Sequence, residues 1–410
     1  MPHSLPLDTT RIRALFPAFS EPSLAGAAHF ENAGGSFTAG PVLDRLDRFY
    51  RQTKIQPYPY FDAGKSAGEA MDLAYRRLAQ ALGVTPDWIR FGPSTSANTY
   101  VLANALSEWL KPGDAIVVTN QDHEANSGAF RRLERFGIAI REWRVDAGTG
   151  HLDPADLDAL LDESVRVVAF PHASNVVAEI NPVAAIAAKV HAAGAIAIVD
   201  GVAGAPHGLP DVTALGADIY LFSAYKTFGP HQGVMVIRPE LGAELPNQGH
   251  YFNADKPRYR LSPAGPDHAQ IAACAGIADY LEEVARIAGA AEGDDLFAHA
   301  RSAMQAQEKA LLGPLLAWVA DRNDLRLIGP ADPDVRAPTV SLDTALPAEQ
   351  IATRLAGHGI MAGAGHFFAH RLVEAVGVDP SRGLLRLSFL HYTTPDEIDR
   401  LIRALETELR

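Results

Sequence analysis

The sequence predicts an α/β fold, with a mostly parallel sheet in a large domain and a smaller α+β domain at the C-terminal end. Three observations predict it. The chain has 410 residues, which invites two lobes rather than one core. Its middle alternates short aliphatic runs with helix patterns, the mark of parallel strands covered by helices on both faces. From about Ala264 that rhythm gives way to longer helix patterns and widely spaced strands. The chain divides accordingly into an N-terminal arm (1–25), a large domain (26–263) and a small C-terminal domain (264–410).

The strands are read from runs that are short, aliphatic or β-branched, and bounded by Gly, Pro or polar residues. They are Ala115 to Asn120, Val165 to Phe170, Ala195 to Asp200, Ile219 to Ser223 and Gly233 to Arg238. Helix patterns lie between them, over Asn126 to Phe136 and over Asn181 to Ala193. The second has Pro182 in its first turn and Gly194 just past its end. In the C-terminal region, helices are predicted from about His268 to Ile287 and from about Asp294 to Arg322. Strands follow near Pro338 to Leu342 and Leu384 to Phe389. A closing helix begins at Thr394-Pro395, a cap followed by a first-turn proline.

Composition narrows the function classes. Hydrophobic residues make up 47% and charged residues 21%, as in globular chains and unlike disordered ones. A formal net charge of −13 argues against non-specific nucleic-acid binding, which needs a basic footprint. A single cysteine, Cys274, excludes an intrachain disulfide, which fits the cytosol. The first residues carry no basic-then-apolar leader, and no run of 18 apolar residues occurs. A soluble, cytoplasmic protein is expected.

Five polar clusters each follow a strand, where ligands of α/β sheets bind. Lys226 stands in Ser223-Ala224-Tyr225-Lys226, just after an apolar strand. Such a lysine is a candidate Schiff-base former, though taken alone it reads more readily as a snorkelling surface residue. Asp200 ends Ile198-Val199-Asp200. An acid there can hold the pyridinium nitrogen of pyridoxal phosphate protonated, or simply start a turn. Ser94-Thr95-Ser96 opens a helix running to about Trp109. Free N–H groups at a helix start make a phosphate site, and the same hydroxyls serve as plain caps. The turn lacks the glycine and lysine pattern of a Walker loop.

The fourth cluster, Asn120 to Asn126, carries His123, which can stack on an aromatic ring or move protons. The fifth, Pro171 to Asn175, carries Asn175, able to donate to an oxygen of cofactor or substrate. Arg386 sits inside the apolar strand Leu384 to Ser388 and needs an anionic partner. A substrate carboxylate and a structural Asp or Glu fit it equally.

In this order the residues resemble the class V aminotransferases of fold type I, and within them the cysteine desulfurase-like group. The resemblance runs from His29-Phe30-Glu31-Asn32-Ala33-Gly34-Gly35 to the last helix. It implies that pyridoxal 5'-phosphate is the cofactor and that Asn32, Ala33 and Gly34 line the substrate site. It implies that Ser94, Thr95 and Ser96 bind the phosphate, that His123 stacks on the ring and that Asn175 faces the phenolic oxygen. Asp200 takes the ring nitrogen, Ser223 and Lys226 match the family serine and Schiff-base lysine, and Arg386 grips the substrate carboxylate. It further implies a homodimer with shared active sites, with His268 a loose match to a phosphate contact from the neighbouring subunit.

Departures qualify the resemblance. Ala203 stands where desulfurases have a glutamine, and Tyr225 where they have a phosphate-binding histidine. In Ala362 to Ala369, Phe368 falls at or near the position of the sulfur-accepting cysteine. Cys274 lies in an apolar helical stretch, as an inert thiol would. His366 and His370 have no evident third ligand, so no metal is expected. The chain therefore reads as a pyridoxal-phosphate enzyme acting at the α-carbon of a small amino acid, by lyase or aminotransferase chemistry. An epimerase of the same fold and a non-catalytic cofactor-binding protein are the alternatives.

Overall fold

The computed structural model describes residues 5–409. Among them are twelve strands: β1 (Ala28–Phe30), β2 (Ile89–Gly92), β3 (Ala115–Thr119), β4 (Ala139–Trp143), β5 (Val165–Pro171), β6 (Ile196–Asp200), β7 (Ile219–Ser223), β8 (Gly233–Ile237), β9 (Leu325–Ile328), β10 (Thr339–Thr344), β11 (Ile360–Gly365) and β12 (Leu384–Ser388). Seven form one sheet in the order β2-β8-β7-β6-β5-β3-β4. The pairs from β7 through β4 are parallel, while β8 runs antiparallel to both β7 and β2. The mostly parallel sheet is therefore as expected, with one reversed strand.

The aliphatic runs are explained by burial. Every residue of β3, β6, β7 and β8 except Ile196 is buried, because helices cover both faces of the sheet. One face packs with Asp62–Ala81 and Ala275–Ile287, and the other with Thr95–Trp109 and Glu124–Arg131. β3 is flanked by β4 on one side and β5 on the other, so the loops leaving β3 and β5 part from one another. A crevice opens at such a switch point, outside the carboxyl ends of the strands.

The second sheet has the order β1-β11-β12-β10-β9 and a core of its own. The closing helix Pro395–Glu408 packs on it and starts with a complete capping box between Thr394 and Glu397. β1 belongs here, parallel to β11, although residues 26–263 were assigned to the large domain on sequence. Three residues are too few for a periodic signal, and the pairing partner lies over three hundred residues away. β2, β4, β9 and β11 are likewise absent from the strands read in the sequence. β4 is a half-exposed edge and β11 is glycine-rich, so neither reads as a buried aliphatic run.

Helix ends shift in detail. Pro182 is the N-cap of Val183–Ala192 rather than a first-turn residue, while Gly194 lies past the end at φ +76 as expected. The pattern from His268 to Ile287 is two helices, His268–Ala273 and Ala275–Ile287, meeting at Cys274. Among the described residues, no helix is long and apolar enough to cross a membrane.

Candidate active site

The five parallel strands β2, β3, β5, β6 and β7 deliver the five polar clusters to one edge of the sheet. There a chamber forms, lined by Thr95, Ser96, His123, Asn175, Asp200, Ser223, Tyr225 and Lys226, together with Gln121 and Ala203. Lys226 ends a single 3₁₀ turn that follows β7 directly. Burial lowers its amine to about 8, with the nearby Arg386 charge acting in the same sense and Asp200 opposing both. Asp200 is buried, and its carboxylate accepts from the Val202 amide at 2.9 Å. Burial raises it to about 6, against the pull of that amide and of Lys226.

Thr95 and Ser96 reach the chamber, and their helix presents its amino end there. Ser94 does not line it. Its hydroxyl accepts from the Ala97 amide at 3.1 Å, so it works as the plain cap. The Thr95 and Ser223 hydroxyls bond each other at 2.7 Å. His123 accepts the Ala125 amide on Nδ1 at 3.0 Å, which leaves the proton on Nε2. Burial lowers its pKa to about 4, reinforced by Lys226 and Arg386, so the imidazole is neutral at neutral pH. Tyr225 stacks on His231 with ring centres 4.9 Å apart.

Asn175 and Arg386 differ from expectation in what they touch. The Asn175 side chain donates to the Phe367 carbonyl at 2.9 Å, and its own buried carbonyl oxygen has no protein partner. Arg386 is 3% exposed and pairs through Nη2 with Glu31 at 2.7 Å. Its Nη1 donates to the main-chain carbonyl of Asn175 at 3.2 Å, and the Phe367 ring covers its guanidinium at 3.8 Å. The structural acid is therefore present, and Glu31 was not singled out from sequence. The signal was there, since a buried arginine needs a counter-charge and Glu31 stands inside the motif that contains Asn32. Gly363 makes room for it, because a Cβ at that position would lie 2.2 Å from Glu31 Oε2.

Asn32 and Ala33 line a small adjoining hollow that shares Lys226 and Ala203 with the chamber. The Asn32 amide is spent on the His29 and Ser388 carbonyls and on the Tyr392 hydroxyl, while Gly34 packs against Glu31. His268 opens a helix and is not among the chamber residues of this chain. Phe368 is two-thirds exposed and lies 5.2 Å from the His123 ring. Cys274 is fully buried, which raises its thiol far above the usual range. His366 and His370 have ring centres 5.4 Å apart, and His370 faces Glu374.

The sequence matches the family model of class-V aminotransferases over residues 28–401. The chain belongs to the class-V aminotransferase family. Members of this family and the cysteine desulfurases within it are pyridoxal-phosphate-dependent enzymes. Among its relatives is the aminotransferase-like protein FGM3 of Gibberella zeae, 33% identical over 97% of this chain and 98% of that protein. A cysteine desulfurase of Pectobacterium atrosepticum is 30% identical over 97% of each chain. The solved cysteine desulfurase of Thermococcus onnurineus superimposes with a TM-score of 0.85 at 22% identity, covering 98% of both chains. The Escherichia coli cysteine desulfurase CsdA does so with 0.81 at 24% identity, also over 98% of both. At those identities the two structures establish the fold, that of pyridoxal-phosphate enzymes of type I.

The chamber of this class-V chain fits the family cofactor on its own chemistry. A protonated ring nitrogen would give the buried Asp200 carboxylate the strong cationic partner that it lacks. A phosphate would meet the amino end of the helix at Thr95 and Ser96. The unpartnered side-chain oxygen of Asn175 leaves one acceptor free on the chamber wall.

Proposed function

We propose that this chain is a pyridoxal-phosphate enzyme acting at the α-carbon of a small amino acid, by β-elimination or amino transfer rather than by sulfur relay through a cysteine. The observation that carries the reading is that a buried lysine, its amine lowered to about 8, and a buried carboxylate line one chamber at the carboxyl edge of the sheet. When bound, the cofactor supplies an electron sink for the pair of electrons left at the substrate carbon.

The chain's own residues supply the rest. Lys226 would hold the cofactor covalently through its amine. Once displaced by substrate, it removes the α-proton, a task suited to an amine of pKa about 8. Asp200 keeps the proton on the ring nitrogen. Thr95, Ser96 and Tyr225 receive the phosphate, and neutral His123 offers its flat face rather than a charge. Arg386 holds the substrate carboxylate, with Glu31 keeping the guanidinium in place. Relay of sulfur needs a mobile thiolate beside the substrate. The chain's one cysteine is buried between helices, and Phe368 stands near His123 instead. We further propose that the active form is a homodimer, in which His268 serves the neighbouring site, and that the protein works in the cytoplasm.

Borohydride reduction of the cofactor-loaded protein, followed by peptide mass analysis, tests the lysine. The adduct is expected on residue 226, and its absence there ends the assignment. A panel of amino acids assayed for oxo acid, for sulfide with alanine, and for inverted product then separates the reaction types. Inverted product alone would move the reading to an epimerase, and no product from any member to a non-catalytic binder.

A further inference from the structure

A second cavity of about 580 Å³ lies beside the chamber, with Ala173 lining both, in the size range of small-molecule sites. One wall comes from residues 172–215, beside the seven-stranded sheet. The other comes from the long helix Leu296–Ala320 and the segment 333–338. The two walls are tied by the Ile180 amide to the Val335 carbonyl at 3.0 Å and the Ala337 amide to the Ala178 carbonyl at 2.8 Å.

Lys309, Arg301 and Arg336 line it together with the acids Asp211, Glu308 and Asp334, and only one of the three cations is paired with a carboxylate. Lys309 is bonded to Asp334, and the buried Glu308 takes His207 at 3.0 Å. Burial works against the Glu308 charge, but His207 and His391 hold the carboxyl below its ordinary value. Asp211, exposed at the rim, caps a short helix through the Ala214 amide. Arg301 and Arg336 are left over. Arg301 donates to the Leu209 carbonyl at 2.7 Å, and Gly208 gives it room, since a Cβ there would lie 2.7 Å from its Cγ. Arg336 is 3% exposed and donates to the carbonyls of Thr339, Pro330 and Ile328. Neither guanidinium has a carboxylate partner among the described residues. Arg336 is the buried one of the two, and a buried cation without a counter-ion is costly; an anion in the cavity supplies one, with the half-buried Arg301 beside it. Ile180, Leu215, Leu312 and Pro338 complete the wall with apolar surface.

We propose that this cavity binds a small organic acid, its carboxylate toward Arg301 and Arg336 and its short hydrocarbon body against the apolar wall. The site adjoins the catalytic chamber without being part of it. The small hollow that contains Lys226 also contains His207 and Ala337, which line the second cavity too.

The test is isothermal titration of the cofactor-loaded full chain with sodium hexanoate, with 1-hexanol as the uncharged control. One site per chain is expected, with hexanol about tenfold weaker or more, the loss of a charge-assisted hydrogen bond. Ala306→Trp closes the cavity from its exposed side, and Arg301→Gln removes a charge from a half-buried position. Each is expected to weaken hexanoate by about tenfold or more. Arg386→Ala is expected to bind hexanoate like the parent. Absence of hexanoate binding, equal binding of hexanol, or unweakened binding in both cavity variants overturns the proposal. Loss of binding in Arg386→Ala does so as well, by placing the acid in the catalytic chamber.

Discussion

Replacing Glu31 by Gln keeps the volume and an acceptor but removes the charge that faces Arg386. Breaking a fully buried ion pair costs ~3–5 kcal/mol, and breaking an exposed one ~0–1 kcal/mol. The Arg386 side chain is 4% exposed and that of Glu31 30%, so the pair lies between these limits. A loss of about 2 kcal/mol is expected, roughly a thirtyfold change in the folding equilibrium. Denaturant unfolding of the parent, Glu31→Gln, Arg386→Met and the double variant measures it, with midpoints compared at equal slope. The double variant should recover much of the loss, because no charge is then left buried alone. An amino-acid ligand should stabilise Glu31→Gln more than the parent, since its carboxylate replaces the missing charge. A single variant within ~0.5 kcal/mol of the parent would refute the argument, as such a change is typical of an unremarkable surface site. A double variant as unstable as the sum of the singles would refute it too.

Lys226→Ala should lose the borohydride-trapped adduct altogether, read by peptide mass; an adduct surviving at another lysine would relocate the site. In the cofactor-free protein, the buried amine titrates near 8 against 10.5 for the ordinary side chain. Between those pH values the unfolded chain holds more protons on this residue, so its contribution to stability rises with pH across the window. Below pH 8 the full cost of burying the charge is present, on the order of 3–4 kcal/mol at ~1.4 kcal/mol per unit. The stability of the parent relative to Lys226→Met should climb from pH 8 to 10.5, and parallel curves would contradict the burial argument. Cys274→Ala should leave amino-acid turnover unchanged while costing roughly 1 kcal/mol of packing; a collapse of turnover with the fold intact would restore a role for sulfur. Sedimentation should show a dimer, and a monomer at assay concentration would exclude a site shared between subunits.

The readable part of this protein was local. A buried strand in an α/β unit announces itself as an aliphatic run, and the polar residue that ends it stands at the ligand edge by topology alone. That logic located Lys226 after β7, Asp200 at the end of β6, His123 after β3 and Asn175 after β5. Caps and the proline-led closing helix were legible for the same reason, since they depend on neighbours within a few residues. Side-chain partnership was not local and could not be read. The Glu31–Arg386 pair spans 355 residues, and the bond from Asn175 to the Phe367 carbonyl spans 192. Sequence could state that Arg386 needs an anion, because burial makes that demand of any arginine. Only the packing of β1 beside β11 and β12 decided which one answers it. The second cavity is of the same kind: Arg301 on the long helix Leu296–Ala320 and Arg336 in the segment 333–338 are joined by no periodicity, and only the packing of those two segments brings them to one wall.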